Sequence, residues 1–182
     1  MASKSVLEIE SLIDNHPMIQ DLRKRGKFVE YRGYEDYPQD LREQNLTAGP
    51  LTGPQMIPIA PYVFVNQAEK SLVEILYLGN HVSGYPGIIH GGLLATILDE
   101  GLGWCCFPFL PGKAGATVAL DLQFINPLST DSYMVLKAQV TSVVERKAFV
   151  EGHIETLPEN GDPVLIAKAR ATFVAPRNMK LG

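Results

Sequence analysis

The chain has 182 residues, 46% of them hydrophobic and 20% charged, with a formal net charge of −4. That suits one domain with at most a modest appendage, and it supplies no basic field to recruit nucleic acid. No apolar run reaches the roughly 18–20 residues of a membrane span, and Glu8, Glu10 and Asp14 interrupt the stretch where a signal peptide or presequence would lie, so the expected compartment is the cytosol, with the mitochondrion left open.

Residues 5–25 predict an amphipathic helix, or two short ones broken at Pro17, with Leu7, Leu12, Ile13, Ile19 and Leu22 as a partial apolar stripe. His16, in the middle of it, reads as an unpaired surface residue, as does His153 further on. The basic run Arg23-Lys24-Arg25-Gly26-Lys27 reads as a solvated helix end. From Gly33 to Pro58 the chain is polar and punctuated by proline and glycine, which suggests an arm lying over the domain. Residues 1–55 therefore read as a helical and irregular arm, 56–176 as the domain, and 177–182 as a tail.

Residues 59–67 and 71–79 are β-rich runs joined at a polar turn near Glu69-Lys70. After a loop carrying Gly84, Pro86 and Gly87 comes GGLLATILDEGLGWCCF, whose apolar residues cover more than one helical face. It predicts a largely buried helix, ended by Pro108 and Pro111. The adjacent Cys105 and Cys106 read as buried thiols. Four more strands follow, and residues 115–126 alternate so that Val118, Leu120, Leu122 and Phe124 share one face while Thr117, Asp121 and Gln123 share the other. No crossover helix separates these strands, so an α+β fold is expected, an antiparallel sheet of about six strands wrapped on one buried helix.

Asp99 stands out because it lies in the most apolar helix of the chain, beside Glu100. A buried carboxylate needs a partner or a purpose; on the bland reading both acids sit on a solvated flank. His90-Gly91-Gly92 opens the same helix, where the first N–H groups lack intrahelical acceptors and, with the helix dipole, suit a developing oxyanion. Gly91 and Asp99 are eight residues apart, about 12 Å along a helix axis. That is too far for both to act on one carbonyl, unless a two-fold dimer sets Gly91 of one protomer beside Asp99 of the other.

The stretch YPGIIHGGLLATILDEGLGWCCF resembles the HGG-(x)6-Asp signature of hotdog-fold thioesterases of the phenylacetate-degradation and THEM types. The strand TVALDLQFINPL is similar to the one that family places after its helix, and LTAGPLTGP resembles the lead-in of fungal members. The resemblance implies an acyl-CoA thioesterase of the hotdog fold, acting as a homodimer or a dimer of dimers; the sequence has no phosphate loop, dinucleotide fingerprint or metal spacing, so no cofactor and no metal are expected. It implies that Gly91, with Gly92, polarises the thioester carbonyl, and that Asp99 is the general base or the nucleophile. Thr117 would hold water and the acid, His90 would shape the turn, Arg146 and Lys147 would meet the CoA phosphates, and Gln123 would contact the ligand. One departure is Gly84, where some relatives carry Asn or Gln. A hotdog dehydratase or hydratase, and a non-catalytic acyl-CoA or lipid-binding dimer, remain as alternatives.

Overall fold

The computed structural model describes residues 4–177; of the expected tail, 178–182 lie outside the described residues. The expected break at Pro17 separates two helices, α1 (Val6–Asn15) and α2 (Pro17–Lys24). Ser5 and Glu8 cap α1 reciprocally, each side chain accepting the other's backbone N–H. Pro17 occupies the start of α2, where its missing N–H costs nothing. His16 is the N-cap rather than an idle surface residue. Its Nδ1 accepts the Met18 N–H at 3.2 Å, which leaves Nε2–H to donate to the Pro158 carbonyl at 3.0 Å.

The arm then contributes more regular structure than its sequence suggests. Val29–Arg32 forms β1 and Gln39–Gln44 the short α3. The domain proper contains β2 (Tyr62–Asn66), β3 (Ser71–Leu78), a small hairpin of β4 (Ser83–Tyr85) and β5 (Ile88–Ile89), and α4 (Gly91–Cys106). Then follow β6 (Ala116–Phe124), β7 (Ser132–Val144), β8 (Lys147–Thr156) and β9 (Leu165–Val174). The main sheet has seven antiparallel strands in the order β1-β2-β3-β7-β8-β9-β6. The six expected strands are there, and β1 from the arm is the seventh, docked on β2 through Val29 to Arg32.

Strand alternation gives the sheet two apolar faces. On the inner face Leu72, Leu76, Met134, Leu136, Val150 and Ile154 pack around Leu94, Ile97, Leu98 and Leu102 of α4, all buried. On the outer face Ile9, Ile13, Ile19 and Leu22 of α1 and α2 cover Tyr62, Phe64, Ile75, Tyr77 and Val135. The covering stops at β7. Beyond it the outer face carries Lys137, His153, Glu151, Lys168 and Arg170, and His153 is paired with Glu155 at 3.2 Å.

The end strand β6 behaves differently. One side pairs with β9 and the other has no neighbour in the sheet among the described residues, and Val118 and Phe124 are 59% and 54% exposed. An apolar strand edge of this kind is a template for another chain.

Candidate active site

Asp99 lies in the second half of α4, half-buried, on the flank that faces β6. The Thr117 hydroxyl donates to its Oδ1 at 2.8 Å. Strict alternation had put Thr117 with Asp121 and Gln123, on the face away from the helix. The register explains the difference: Thr117 pairs with Phe173, but Ala119 pairs with Thr172, so Val118 is an extra residue in the strand. This bulge turns Thr117 onto the inner face with Leu120 and Leu122 and pushes Val118 outward.

At the other end of the helix His90 is the N-cap, its Nδ1 accepting the Gly92 N–H at 2.8 Å. The proton of the neutral ring therefore sits on Nε2. A side chain at position 92 would bring its Cβ within 2.9 Å of the ring, so the cap requires glycine there. The Leu93 and Leu94 N–H groups both point to the His90 carbonyl. Among the described residues, the Gly91 N–H is left without an acceptor in this first turn. Of the two expected oxyanion donors, only Gly91 is free. The ring of Phe124, from the far end of β6, lies over it, 3.5 Å from where a Cβ would stand. A Cβ at Gly84 would stand 3.0 Å from the Cα and ring of His90, so a longer residue there would displace the cap.

The remaining expected residues are spread out. Arg146 closes the β7–β8 turn against the end of β9: its guanidinium donates to the Ala175 carbonyl, and its own carbonyl accepts the Ala175 N–H at 2.8 Å. Lys147 is exposed and lies one register row beyond Thr117, two strands across the sheet through Val174, about 10 Å away at the usual strand spacing. Gln123 pairs with Lys168 and lines the outer groove, on the opposite face from Asp99. The structure brings Asp99 to Thr117 and His90 to Gly91 and Gly92, engages Arg146 in the β7–β8 turn, and leaves Lys147 and Gln123 on the outer face. Among the described residues, no group of three or more His, Cys, Asp or Glu side chains converges as a metal set.

The partners of Glu100 were not singled out in the sequence, and Glu100 is not on the solvated flank of the bland reading. Glu100 points away from Asp99 towards the arm, where the Tyr34 hydroxyl meets one of its oxygens and Thr47 Oγ1 lies 2.6 Å from the other. Burial raises its pKa above the ordinary 4.5. Glu74, on the inner face of β3, is 3% exposed, and its Oε2 has no hydrogen-bond partner. Burial, and then the neighbouring Glu100, push it well above the same value. Gly101 makes the room for it, since a Cβ there would stand 2.8 Å from Glu74 Oε2. The one signal in the sequence was an acid at the centre of the apolar run SLVEILYL.

The thioesterase superfamily model matches residues 86–161, from the loop before α4 into the turn after β8. A Candida albicans protein named uncharacterized, mitochondrial, is 32% identical over 180 residues, covering 93% of this chain and 81% of that one. Mouse acyl-coenzyme A thioesterase THEM4 is 31% identical over 112 residues, 62% of this chain; the chain spans about half of that relative, 46% of its length. A solved thioesterase superfamily protein superimposes with a TM-score of 0.56 at 28% identity, over 69% of this chain and 59% of that one. The sheet wrapped on α4, the HGG helix start and these matches agree: the chain belongs to the thioesterase superfamily, with the hotdog fold.

Proposed function

We propose that the protein is an acyl-CoA thioesterase whose sites are shared between two chains. The observation that carries this reading is the relation of β6 to α4. One end of this free edge strand holds Asp99 through Thr117, and its other end sets the Phe124 ring against Gly91, whose N–H is unpaired among the described residues. Pairing two β6 edges antiparallel about a two-fold axis sets the Phe124 end of one beside the Thr117 end of the other. Gly91 of one protomer then faces the Asp99 of its partner, which answers the separation of about 12 Å within one helix.

In such a site the thioester oxygen accepts the Gly91 N–H. Asp99, oriented by Thr117, takes a proton from water as the water attacks the carbonyl carbon. The negative charge on the tetrahedral carbon's oxygen is held by the Gly91 amide and the positive end of the helix dipole. The carbon–sulfur bond then breaks and the proton returns from Asp99 to the departing thiolate, giving a carboxylic acid and CoA. Direct attack by Asp99, forming an anhydride that water then opens, uses the same groups. Of the basic pair, Arg146 is engaged with Ala175 and Lys147 alternates onto the outer face with Glu151, so a role for either with CoA phosphates is not carried into this mechanism. Gln123 is left out as well. The THEM4 relative, named an acyl-coenzyme A thioesterase, supports the substrate class, and the Candida albicans relative supports a mitochondrial location, which imaging of a tagged chain would test.

A thiol-release assay over short, medium, long and aromatic acyl-CoAs is the direct test. Asp99→Asn is expected to lower turnover by at least about 10²-fold, the low end for general acid–base catalysis, with the protein still folded. Near-normal turnover in that variant would remove Asp99 from the mechanism. Against a dehydratase or hydratase reading, the His90 Nδ1 is already spent on Gly92. Conversion of an enoyl-CoA without thiol release would reverse that preference, and saturable CoA binding with no turnover at all would favour a binding protein.

A further inference from the structure

The Asp99 mechanism does not use its neighbour Glu100, nor the arm residues that hold it. We propose that Glu100 is a positioning residue for Asp99, latched by Tyr34 and Thr47, so that the N-terminal arm is part of the working site and not a cover. The proposal rests on the thioesterase reading for its kinetic consequences.

Hydrogen counting gives the state of the latch. Four oxygen–oxygen contacts meet here: Tyr34 with Glu100, Thr47 with Glu100, Tyr34 with Thr47, and Thr47 with Asn45 Oδ1 at 2.9 Å. Asn45 Oδ1 also accepts the Thr47 and Ala48 N–H groups, each at 3.0 Å, so it is the acceptor in its contact with Thr47. The two hydroxyls supply only two hydrogens. With Glu100 ionised, two of the four contacts have no hydrogen between their oxygens. A carboxyl hydrogen on Glu100 fills a third and gives a directed chain, in which Tyr34 donates to Glu100, Glu100 to Thr47 and Thr47 to Asn45, with only the Tyr34–Thr47 approach left without one. The surroundings agree. Glu100 meets Tyr34 and Thr47 from the arm, and the titratable groups near it are Glu74 from β3, with Tyr31 behind it, and Asp99 on its own helix. Among the described residues no Lys or Arg forms an ion pair with Glu74 or Glu100.

The arm is built to hold this contact. Tyr34 sits at φ 65°, a left-handed conformation uncommon for a tyrosine, and its ring meets Trp104 edge-on at 5.0 Å. Trp104 is one turn beyond Glu100, so Tyr34 grips two successive turns of α4. Asp99 and Glu100 diverge by about 100° around the helix, and fixing Glu100 on one flank sets the rotation at which Asp99 meets Thr117 on the other. A neutral Glu100 also leaves Asp99 as the single anion of the pair, so no second negative charge opposes the oxyanion.

The test uses the full chain, with Tyr34→Phe and Thr47→Val combined; this variant keeps both shapes and removes both hydroxyls. The expected result is a kcat about 10-fold lower with KM unchanged, the scale of one lost hydrogen bond to a group that orients the base. Glu100→Gln, whose amide can accept from Tyr34 and donate to Thr47, should give a kcat at least about fivefold above Glu100→Ala. It should also lose the high-pH decline in kcat that ionisation of Glu100 gives the natural protein. A double variant with natural kcat and an unchanged pH profile would overturn the proposal, as would a Glu100→Gln no better than Glu100→Ala. If the natural chain releases thiol from no acyl-CoA, the thioesterase reading fails by itself. Hydrogen exchange then judges the latch: amides 96–103 should exchange faster in the double variant while its far-UV spectrum is unchanged, and equal protection would end the proposal.

Discussion

Glu74, between the helix and the sheet, and Glu100, between the helix and the arm, place two carboxyls where most domains would put leucines. Burial raises both above the ordinary 4.5, so each favours its protonated form in the folded chain. Their contribution to stability is complete below about 4.5, the unfolded value, and is lost as the pH rises through the folded values. The melting temperature of the natural protein should therefore fall on going from mildly acidic to alkaline buffer. Glu74→Gln, which cannot ionise, should shrink the difference in Tm between pH 5 and pH 8 by at least about 2 °C, the scale of 1 kcal/mol in a domain of this size. Parallel melting curves across the pH series would show instead that Glu74 carries no titrating charge. Both acids were visible in the sequence, but their partners were not. Tyr34 and Thr47 lie 66 and 53 residues away from Glu100 in the chain, in a stretch whose composition reads only as an irregular arm.

Among the elements, β6 decides most of the site. The order of strands and the buried helix follow directly from apolar periodicity, because period-2 and period-3.6 patterns are set by burial. Asp99 and the HGG start were legible for a related reason: a carboxylate in an apolar helix and paired glycines at its entry both break the pattern. The facing of Thr117 was not legible, since a bulge is a property of two strands in register and not of either sequence alone. Deleting Val118 should remove the bulge and leave Thr117 two residues before Leu120, still opposite Phe173 on the inner face. Turnover of the deletion should therefore stay near natural, whereas Thr117→Val should lower it about 10-fold. A deletion as damaging as Thr117→Val would show that the bulge does more than face Thr117 towards Asp99. The extra strand β1 was missed for a simpler reason: VEYR is four residues long, too short for periodicity to declare itself.

For the whole molecule, α1 and α2 set a limit on assembly. They occupy the outer face over β2, β3 and β7, and the rest of that face is charged, with Lys137 bound to Glu155 at 2.6 Å. Stacking two sheets through this face would have to displace the helices or bury those charges. The free edge of β6 has neither obstacle. The mass in solution is expected to be twice the 20.0 kDa of the chain, measured by light scattering; four chains would show that the outer face does associate.

The distance between Gly91 and Asp99 along α4 has a further outcome, in the behaviour of mixed chains. Proline is tolerated at the first position of a helix, so Gly91→Pro removes the free N–H with little cost to α4. In a site drawn from two protomers, a Gly91→Pro chain and an Asp99→Asn chain are each inactive alone. Their heterodimer pools both defects in one site and leaves the other whole. Random re-pairing of equal amounts would make half the dimers mixed, so about a quarter of natural activity should return. Two dead proteins would complement each other, and a mixture that stays dead would mean each chain works alone.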